Sequence, residues 1–185
     1  FRTTMKVLGL DISTTKIGIA LLDDEELLVS EVIKLKSNMT LEQRAHIFEE
    51  KMLQLDDKHV IMDVYIEAPA MMFGGGRTTA NTMAKLQRFN GMTSFIVSSV
   101  FDIEALQINP LSARSVLGIK IPRKLPNKEK KRFIIDWVGE KYGDDFKYDM
   151  TRQGNPQPGT DDRADAVVIG LSGQIISERN IKENS

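Results

Sequence analysis

The chain has 185 residues, of which 41% are hydrophobic and 28% are charged, and its formal net charge is −1. This length allows one domain with a sizeable core, and the composition is ordinary for a globular protein. Because the sequence contains no cysteine, disulfides, zinc thiolates and a cysteine nucleophile are excluded, and its two histidines are too few for a histidine-rich metal site.

The domain organisation is expected to be simple. Residues 1–4 are interpreted as an expression remnant or a disordered start, with Met5 as the native first residue. Residues 5–178 are expected to form a single domain, and residues 179–185 a polar tail. No apolar run approaches the length of a membrane span and no signal peptide is evident, so the cytoplasm is the expected location.

The first part of the chain predicts an antiparallel meander. Short apolar runs indicate three strands, at residues 6–11, 16–22 and 27–35, and an acidic turn at residues 23–26 separates the last two. Apolar side chains then recur at helical spacing over residues 41–55, with Thr40 as the cap.

Strands and helices alternate in the rest of the chain. The predicted order is strand 60–67, helix 79–100, strand 103–108, helix 110–117, helix 127–142 and helix 161–176. The glycine-rich residues 73–77 and the polar residues 143–159 are predicted loops, the second of them mobile. This order predicts an α/β fold, in which a mixed five-stranded sheet (a three-strand antiparallel meander plus two parallel strands) carries helices on both faces.

Acidic residues stand where an α/β sheet binds ligands. Asp11 and Glu67 each end an apolar strand, and ligands gather near the carboxyl ends of strands. Asp162 and Asp165 are three residues apart, so they share one face of the last helix. Such carboxylates repel one another in one pocket, and hard oxygen ligands suit Mg²⁺ or Mn²⁺.

Each of these acids also has a purely structural interpretation. Asp11 alone could equally be a turn residue, and acids in a first helical turn complement the helix dipole and cap its free N–H groups. Asp161 is interpreted as a capping acid only. Four carboxylates at three separated places favour the metal site over coincidence.

A dense basic segment gives the chain a local anion-binding face despite its neutral total charge. Residues 120–132 contain seven basic residues and one acid. Such a run is usually a solvated helix face. The basic residues are Lys120, Arg123, Lys124, Lys128, Lys130, Lys131 and Arg132.

Five blocks of sequence, in order, resemble motifs of one nuclease family. They are L-G-L-D-I-S-T-T-K-I-G, Y-I-E-A-P, A-K-L-Q-R-F-N-G, N-P-L-S-A-R-S-V-L-G and D-D-R-A-D-A-V-V-I-G-L. Together, over residues 7–171, they resemble the RuvC family of Holliday-junction resolvases, within the RNase H-like superfamily. Ile12 and Ser13 replace the family's Pro and Gly, and Leu117 stands where Lys is common, which indicates a divergent, phage-type member.

The resemblance implies a structure-selective endodeoxyribonuclease that resolves four-way junctions, and other branched DNA, by paired metal-dependent nicks. It implies two Mg²⁺ ions per active site, with Mn²⁺ as a substitute, and products with 5′-phosphate and 3′-hydroxyl ends. The implied metal ligands are Asp11, Glu67, Asp162 and Asp165. Lys130 is the expected catalytic lysine, with Lys128 as the next candidate, and part of helix 79–100 is expected to form a homodimer interface.

Beside such a site, contact with DNA becomes the favoured interpretation of the basic segment. Phe73, next to three glycines, is either an anchor for its loop or an aromatic wedge that stacks on bases at a branch point. The expected DNA-binding residues are Phe73, Arg77, Lys120, Arg123, Lys124, Lys128, Lys131 and Arg132.

Three other functions remain open from the sequence. A nuclease on RNA–DNA hybrids would use the same metals and the same sheet. The block L-D-I-S-T-T-K-I-G also looks like the first phosphate motif of actin and sugar-kinase proteins, which usually need two such domains. A non-catalytic junction-binding protein would not need four acids. A bacterial or phage-infected cell is the expected source, with an organelle as the alternative.

Overall fold

The computed structural model describes residues 5–69 and 79–183. The predictions for Phe73, Arg77 and the glycines between them therefore lie outside the described residues.

Five strands form a single mixed sheet in the order β3-β2-β1-β4-β5. They are β1 (Lys6–Ile12), β2 (Lys16–Asp23), β3 (Glu26–Lys34), β4 (Asp63–Glu67) and β5 (Ala105–Ile108). β1 pairs antiparallel with β2 and β2 with β3, whereas β4 is parallel to both β1 and β5. The predicted meander with two added parallel strands is confirmed.

Helices cover both faces of the sheet. They are α1 (Leu41–Lys58), α2 (Ala80–Phe101), α3 (Pro110–Val116), α4 (Asn127–Tyr142) and α5 (Thr160–Glu183). On one face, α1 and α2 pack on the sheet through side chains such as Phe48 and Phe89. On the other face, α3, α4 and α5 form a second core that includes Ile134 and Phe146. Within the described ranges, no helix is both long and apolar enough to cross a membrane.

The ends of several elements differ from the prediction, each for a local reason. β4 begins at Asp63 rather than at residue 60, because Val60 and Met62 face solvent. β5 begins at Ala105, because Asp102 ends α2 in the left-handed conformation and a turn must follow. α5 continues to Glu183, so most of the expected polar tail is the exposed end of this helix.

The segment between α4 and α5 has more structure than the predicted loop. A short 3₁₀ helix covers Gly143–Phe146. Beyond it, Met150 and Pro156 form an isolated antiparallel bridge, and the Thr151 N–H donates to the Asn155 carbonyl at 2.7 Å. These contacts give the segment a small hairpin-like turn beside the start of α5.

The position of α5 depends on glycines in the strands beneath it. A Cβ atom on Gly18 would lie 1.9 Å from the Asp162 carbonyl oxygen, and one on Gly9 would lie 2.2 Å from that of Ala166. Real Cβ contacts are never this short, so the backbone of α5 can lie on β1 and β2 only where the strands carry no side chain. Gly18 and Gly9 thereby set the depth at which the acids of α5 sit.

Substitution of Gly18 by alanine should therefore destabilise the protein. The added methyl group meets helix backbone, which cannot rotate away, and overpacking of this kind costs about 1–3 kcal/mol. We expect a melting temperature lower by about 3–10 °C, measured by calorimetry. Gly139→Ala in α4 is the control, because nothing lies within 4 Å of its Cβ position. It should stabilise the helix by about 0.5–1 kcal/mol, and equal melting temperatures for the two variants would contradict the packing argument.

Candidate metal and active site

The parallel pairing of β1 with β4 brings the first two acids together. Leu10 lies opposite Ile66 in the register, and the next residues on the two strands are Asp11 and Glu67. Both strands end here, so their side chains meet at the carboxyl edge of the sheet, where the sequence predicts the site.

The first turns of α5 add a third acid from above the sheet. One carboxylate oxygen each from Asp11, Glu67 and Asp165 can be chosen so that all three lie within 4.8 Å of one another. Three partly buried carboxylate oxygens at this spacing are a suitable donor set for a hard divalent cation. This acid cluster, named here by Asp11, Glu67 and Asp165, is the centre of the candidate site.

The electrostatics of the acid cluster indicate that it is incomplete without a cation. Burial, followed by the charges of Glu67, Asp165 and Asp162, raises the pKa of Asp11 well above its usual range. Burial also raises the pKa of Glu67 to about 7 and that of Asp165 to about 6. The Arg114 guanidinium opposes both of the latter shifts. Protons or metal ions must therefore neutralise the cluster near neutral pH.

Asp162 lies beside the acid cluster, but it does not belong to the group of three acids whose carboxylate oxygens lie within 4.8 Å of one another. Its Oδ2 is 3.8 Å from the Lys16 ammonium, and this oxygen is buried without a hydrogen-bond partner in the described ranges. Burial, together with the charge of Asp161, raises the pKa of Asp162. A buried carboxylate oxygen that lacks a donor suits an added cation, and membership of Asp162 in the ligand set stays a prediction.

The helical part of the basic segment borders the site. The Lys131 ammonium lies 2.5 Å from Asp161 Oδ2. Burial has the largest single effect and would raise the pKa of Asp161, but the hydrogen bond and charge of Lys131, with smaller contributions from the backbone and from Lys16, together lower this pKa. Lys128, Arg132 and Lys131 line a groove of about 380 Å³, with Asn155 and Pro156 among the residues of its wall.

The other predicted basic residues occupy two different settings. Lys120, Arg123 and Lys124 are exposed on the connection between α3 and α4. Lys130 is half-buried in the first turns of α4, where its backbone N–H donates to the Pro126 carbonyl. Its role as the catalytic lysine stays a prediction.

Sequence reasoning did not select three charged residues that the fold places at the site. Arg114, on α3, interacts with Glu67 and Asp165. Lys16 begins β2 and pairs with Asp162, and Asp161 binds Lys131. Arg114 and Lys16 stood within recognised sequence blocks, but no periodicity or spacing marks them as neighbours of the acids.

Side-chain hydrogen bonds fix the turn that follows Asp11. The Ser13 hydroxyl accepts the Lys16 N–H at 3.0 Å and donates to the Lys16 carbonyl at 2.8 Å, which closes the turn. Arg44, buried in α1, donates to the Thr14 carbonyl at 2.6 Å. These hydrogen bonds hold the turn and, with it, the end of β1 that carries Asp11.

The chain is similar to proteins of known structure, and this similarity identifies its fold. Neither a family model nor a curated protein sequence matches the chain. Solved structures do match it over nearly its full length, and the fold that they share with this chain is the RNase H-like fold.

Three of the structures that match over most of the chain are Holliday-junction resolvases. RuvC of Thermus thermophilus in complex with a Holliday junction substrate has a TM-score of 0.66 at 16% identity, with 95% of this chain and 96% of that chain covered. A second Thermus thermophilus RuvC structure gives 0.63 at 16% identity, with 95% and 97% covered. The yeast mitochondrial Holliday junction resolvase gives 0.52 at 13% identity, with 97% and 84% covered. The RuvC-type fold expected from the sequence motifs is confirmed.

The raised pKa of Glu67 predicts how stability depends on pH without metal. A carboxyl whose pKa rises from 4.5 to about 7 on folding holds a proton that the unfolded chain has already released. The metal-free protein should therefore lose stability as the pH rises from about 4.5 to 7 and stay at its lower level above that window. Glu67→Gln removes this cost, so at pH 8 in EDTA its melting temperature should exceed that of the natural sequence by a few degrees, or about 1–2 kcal/mol.

The control for this measurement is Glu140→Gln, at an exposed position of α4. It should leave the melting temperature unchanged in EDTA. Added Mg²⁺ should stabilise the natural sequence more than Glu67→Gln, because the substitution removes a ligand. A Glu67→Gln protein that melts below the natural sequence at pH 8 in EDTA would contradict the charge-repulsion argument.

Proposed function

We propose that the protein is a structure-selective DNA endonuclease that resolves Holliday junctions. The observation that carries the proposal is the acid cluster of Asp11, Glu67 and Asp165, at the carboxyl edge of a sheet that matches junction resolvases over nearly the whole chain. The reaction is hydrolysis of a DNA phosphodiester, which leaves 5′-phosphate and 3′-hydroxyl ends.

The acids would hold the metal, and the surrounding cations would control their charge. Asp11, Glu67 and Asp165 are the proposed ligands, with Asp162 completing a site for two Mg²⁺ ions or for Mn²⁺. When bound, these ions supply Lewis-acid stabilisation of the scissile phosphate and a water of lowered pKa. Arg114 keeps Glu67 and Asp165 closer to their ionised, ligating forms.

The basic residues would bind the DNA backbone rather than its bases. The side chains of Lys120, Arg123 and Lys124 are exposed on the connection between α3, which carries Arg114, and α4, which carries the groove. Contacts of lysine and arginine with phosphates give binding that weakens steeply with salt. Recognition of a junction then depends on where its phosphates lie, that is, on DNA shape. A lysine of α4, Lys130 by the sequence prediction, would stabilise the charge that develops on the scissile phosphate.

We also propose a homodimer formed through α2. Phe95 is 74% exposed, although aromatic side chains are usually buried, and with Met92 and Ile96 it borders a groove of about 260 Å³ between α1 and α2. An exposed aromatic beside an apolar groove is a typical anchor for a protein interface. A dimer would present two active sites to two strands of a four-way junction, which fits paired nicks.

Substitution of Asp11 by asparagine should abolish cleavage and leave junction binding largely intact. The amide keeps the shape of the side chain but loses the charge that holds the cation, so cleavage should fall by about 10³-fold or more. Cleavage is measured with an end-labelled four-way junction in Mg²⁺, beside matched linear duplex and RNA–DNA hybrid. Binding is measured by gel shift in EDTA.

Asp63→Asn is the matched control, because Asp63 lies at the opposite end of the sheet, at the start of β4. It should cleave normally. Paired nicks confined to the junction support a resolvase. Preferential cutting of the hybrid would instead assign the RNA–DNA nuclease activity, and cleavage retained by Asp11→Asn would remove the acid cluster from the reaction.

Phe95→Glu should weaken self-association. A charge at the centre of a buried apolar interface costs affinity, and loss of an aromatic anchor typically weakens binding about 30-fold or more. Analytical ultracentrifugation gives the dimer dissociation constant, and a plasmid-borne cruciform reports whether the two nicks remain coupled. Val60→Glu replaces a similarly exposed apolar residue between α1 and β4 and should leave the dimer intact. A dimer unaffected by Phe95→Glu would exclude this face of α2 as the interface.

A further inference from the structure

We propose that Asp161 is a positioning residue, which holds the Lys131 ammonium beside the acid cluster until a DNA phosphate replaces Asp161 as the partner of Lys131. This inference rests on the proposed nuclease function and assigns the residue that orients one of its cations. It also selects Lys131, rather than Lys130, as the lysine of α4 that contacts the phosphate at the reaction centre.

Lys131 and Asp161 differ in solvent exposure, and an exchange of partners requires this difference. The Lys131 side chain is 62% exposed, whereas that of Asp161 is 21% exposed. The carboxylate is therefore largely fixed in the protein, while the ammonium, 2.5 Å from it, keeps an open side toward solvent. A phosphate oxygen can approach that open side while Asp161 still holds the ammonium in place.

The pair sits at the edge of the acid cluster. Asp161 lies in the first turn of α5, directly before Asp162 and four residues before Asp165. Both of those acids, in addition to Asp161, act on Lys131 and favour its charged form. The ammonium is thus held within the electrostatic reach of the residues that would bind the metal, where a scissile phosphate must also lie.

The groove beside the pair provides a path for the DNA strand. Lys128, Lys131 and Arg132 contribute cationic side chains to this groove of about 380 Å³, and Glu129 and Asp161 contribute carboxylates. The Arg132 guanidinium is held by Asp136 at 2.7 Å, so it too is oriented by a carboxylate of the protein. A phosphodiester backbone in the groove would therefore meet two cations, those of Lys131 and Arg132, that carboxylates of the protein already orient.

Helix geometry separates Lys131 from its neighbour Lys130. Successive residues of an α-helix point about 100° apart. Since the ion pair with Asp161 fixes the Lys131 side of α4 toward α5, the Lys130 side chain leaves the helix in another direction. The assignment of Lys131 to the edge of the acid cluster therefore rests on an observed contact, whereas the assignment of Lys130 as the catalytic lysine rests only on the resemblance of the sequence.

The capping role expected for Asp161 accounts for only part of its contacts. Its side chain does accept a hydrogen bond from its own backbone N–H, as a first-turn acid can. A cap has no need of a lysine from another helix, however, and the contact with Lys131 joins residues 30 apart in the sequence. Asparagine preserves the cap and removes the charge that holds the ammonium, so it separates the two roles.

The test is a double-mutant cycle of Asp161→Asn and Lys131→Met. Each protein is assayed for single-turnover cleavage of a saturating four-way junction in Mg²⁺ and for junction affinity in EDTA. Lys131→Met should slow cleavage by about 10²-fold and weaken binding. Asp161→Asn should slow cleavage by about tenfold, yet tighten binding about two- to fivefold, because one negative charge is lost and Lys131 is released.

The double variant should cleave no more slowly than Lys131→Met alone, because Asp161 acts through Lys131. Opposite changes in cleavage and affinity for Asp161→Asn are not expected from a purely structural role, which would impair both. Lys131→Arg and Asp161→Glu, which keep the charges, should restore part of the cleavage rate. Glu25→Gln, which removes the partner of Lys141 at the far end of α4, is the control and should change neither quantity.

Three results would overturn the inference while leaving the nuclease proposal intact. They are additive cleavage losses in the double variant, weaker binding by Asp161→Asn, and a larger cleavage loss for Lys130→Met than for Lys131→Met. Failure of the unmodified protein to cut any junction would instead overturn the proposed function.

The ion pair of Asp161 with Lys131 can also be tested without a cleavage assay, even if the protein cuts no junction. Acetylation of individual lysines by an amine-reactive reagent, followed by mass spectrometry, should be faster at Lys131 in Asp161→Asn and unchanged at Lys141. Junction DNA should protect Lys131 in the unmodified protein. The inference would be overturned if junction DNA did not protect Lys131 from acetylation, or if Asp161→Asn did not change the acetylation rate of Lys131.

Discussion

The contact between α5 and the backbones of β1 and β2 is the constraint on which the rest of the structure depends. Gly9 and Gly18 leave room for helix backbone where any other residue would place a Cβ atom inside it. This close approach brings the first turns of α5 down to the carboxyl edge of the sheet. Asp165 can then reach the acids at the ends of β1 and β4, which a helix on larger side chains would hold farther away. The same packing that builds the core therefore builds the site.

Burial of several acids by this contact stores unfavourable electrostatic energy in the folded protein. The raised pKa values of Asp11, Glu67 and Asp165 are its signature, and burial is the first cause of each. Cations around the rim offset part of this energy, with Arg114 acting on Glu67 and Asp165 and Lys16 on Asp162. The remaining repulsion favours any cation that enters, so the energy lost in folding would be recovered when a metal ion binds.

Much of the fold could be predicted because local signals agreed with the tertiary structure. Apolar runs identified the buried strands, and α4 was predicted with its observed ends because Pro126 precedes it and Gly143 follows it. The end of α5 was missed, since no glycine or proline follows residue 176 to end the helix. The four acids could be selected from their places in the chain. The partnerships of Arg114, Lys16 and Asp161 could not, because each depends on how separate elements pack.

In the proposed function, the site separates two tasks, metal ligation and contact with DNA, onto different structural supports. Asp11 and Glu67 stand on neighbouring strands paired along their length, and Asp165 on a helix packed against the same strands, so the spacing of these oxygens is set by the core. Lys128 and Lys131 are exposed on α4, where their side chains can shift without disturbing the core. Metal ligation requires fixed oxygen atoms, whereas branched DNA presents phosphates at positions that vary with its shape. In the proposed function, a rigid acid cluster beside exposed cations meets both requirements, and the ion pair of Lys131 with Asp161 links them, because it ties an exposed ammonium to a largely buried carboxylate at the start of α5.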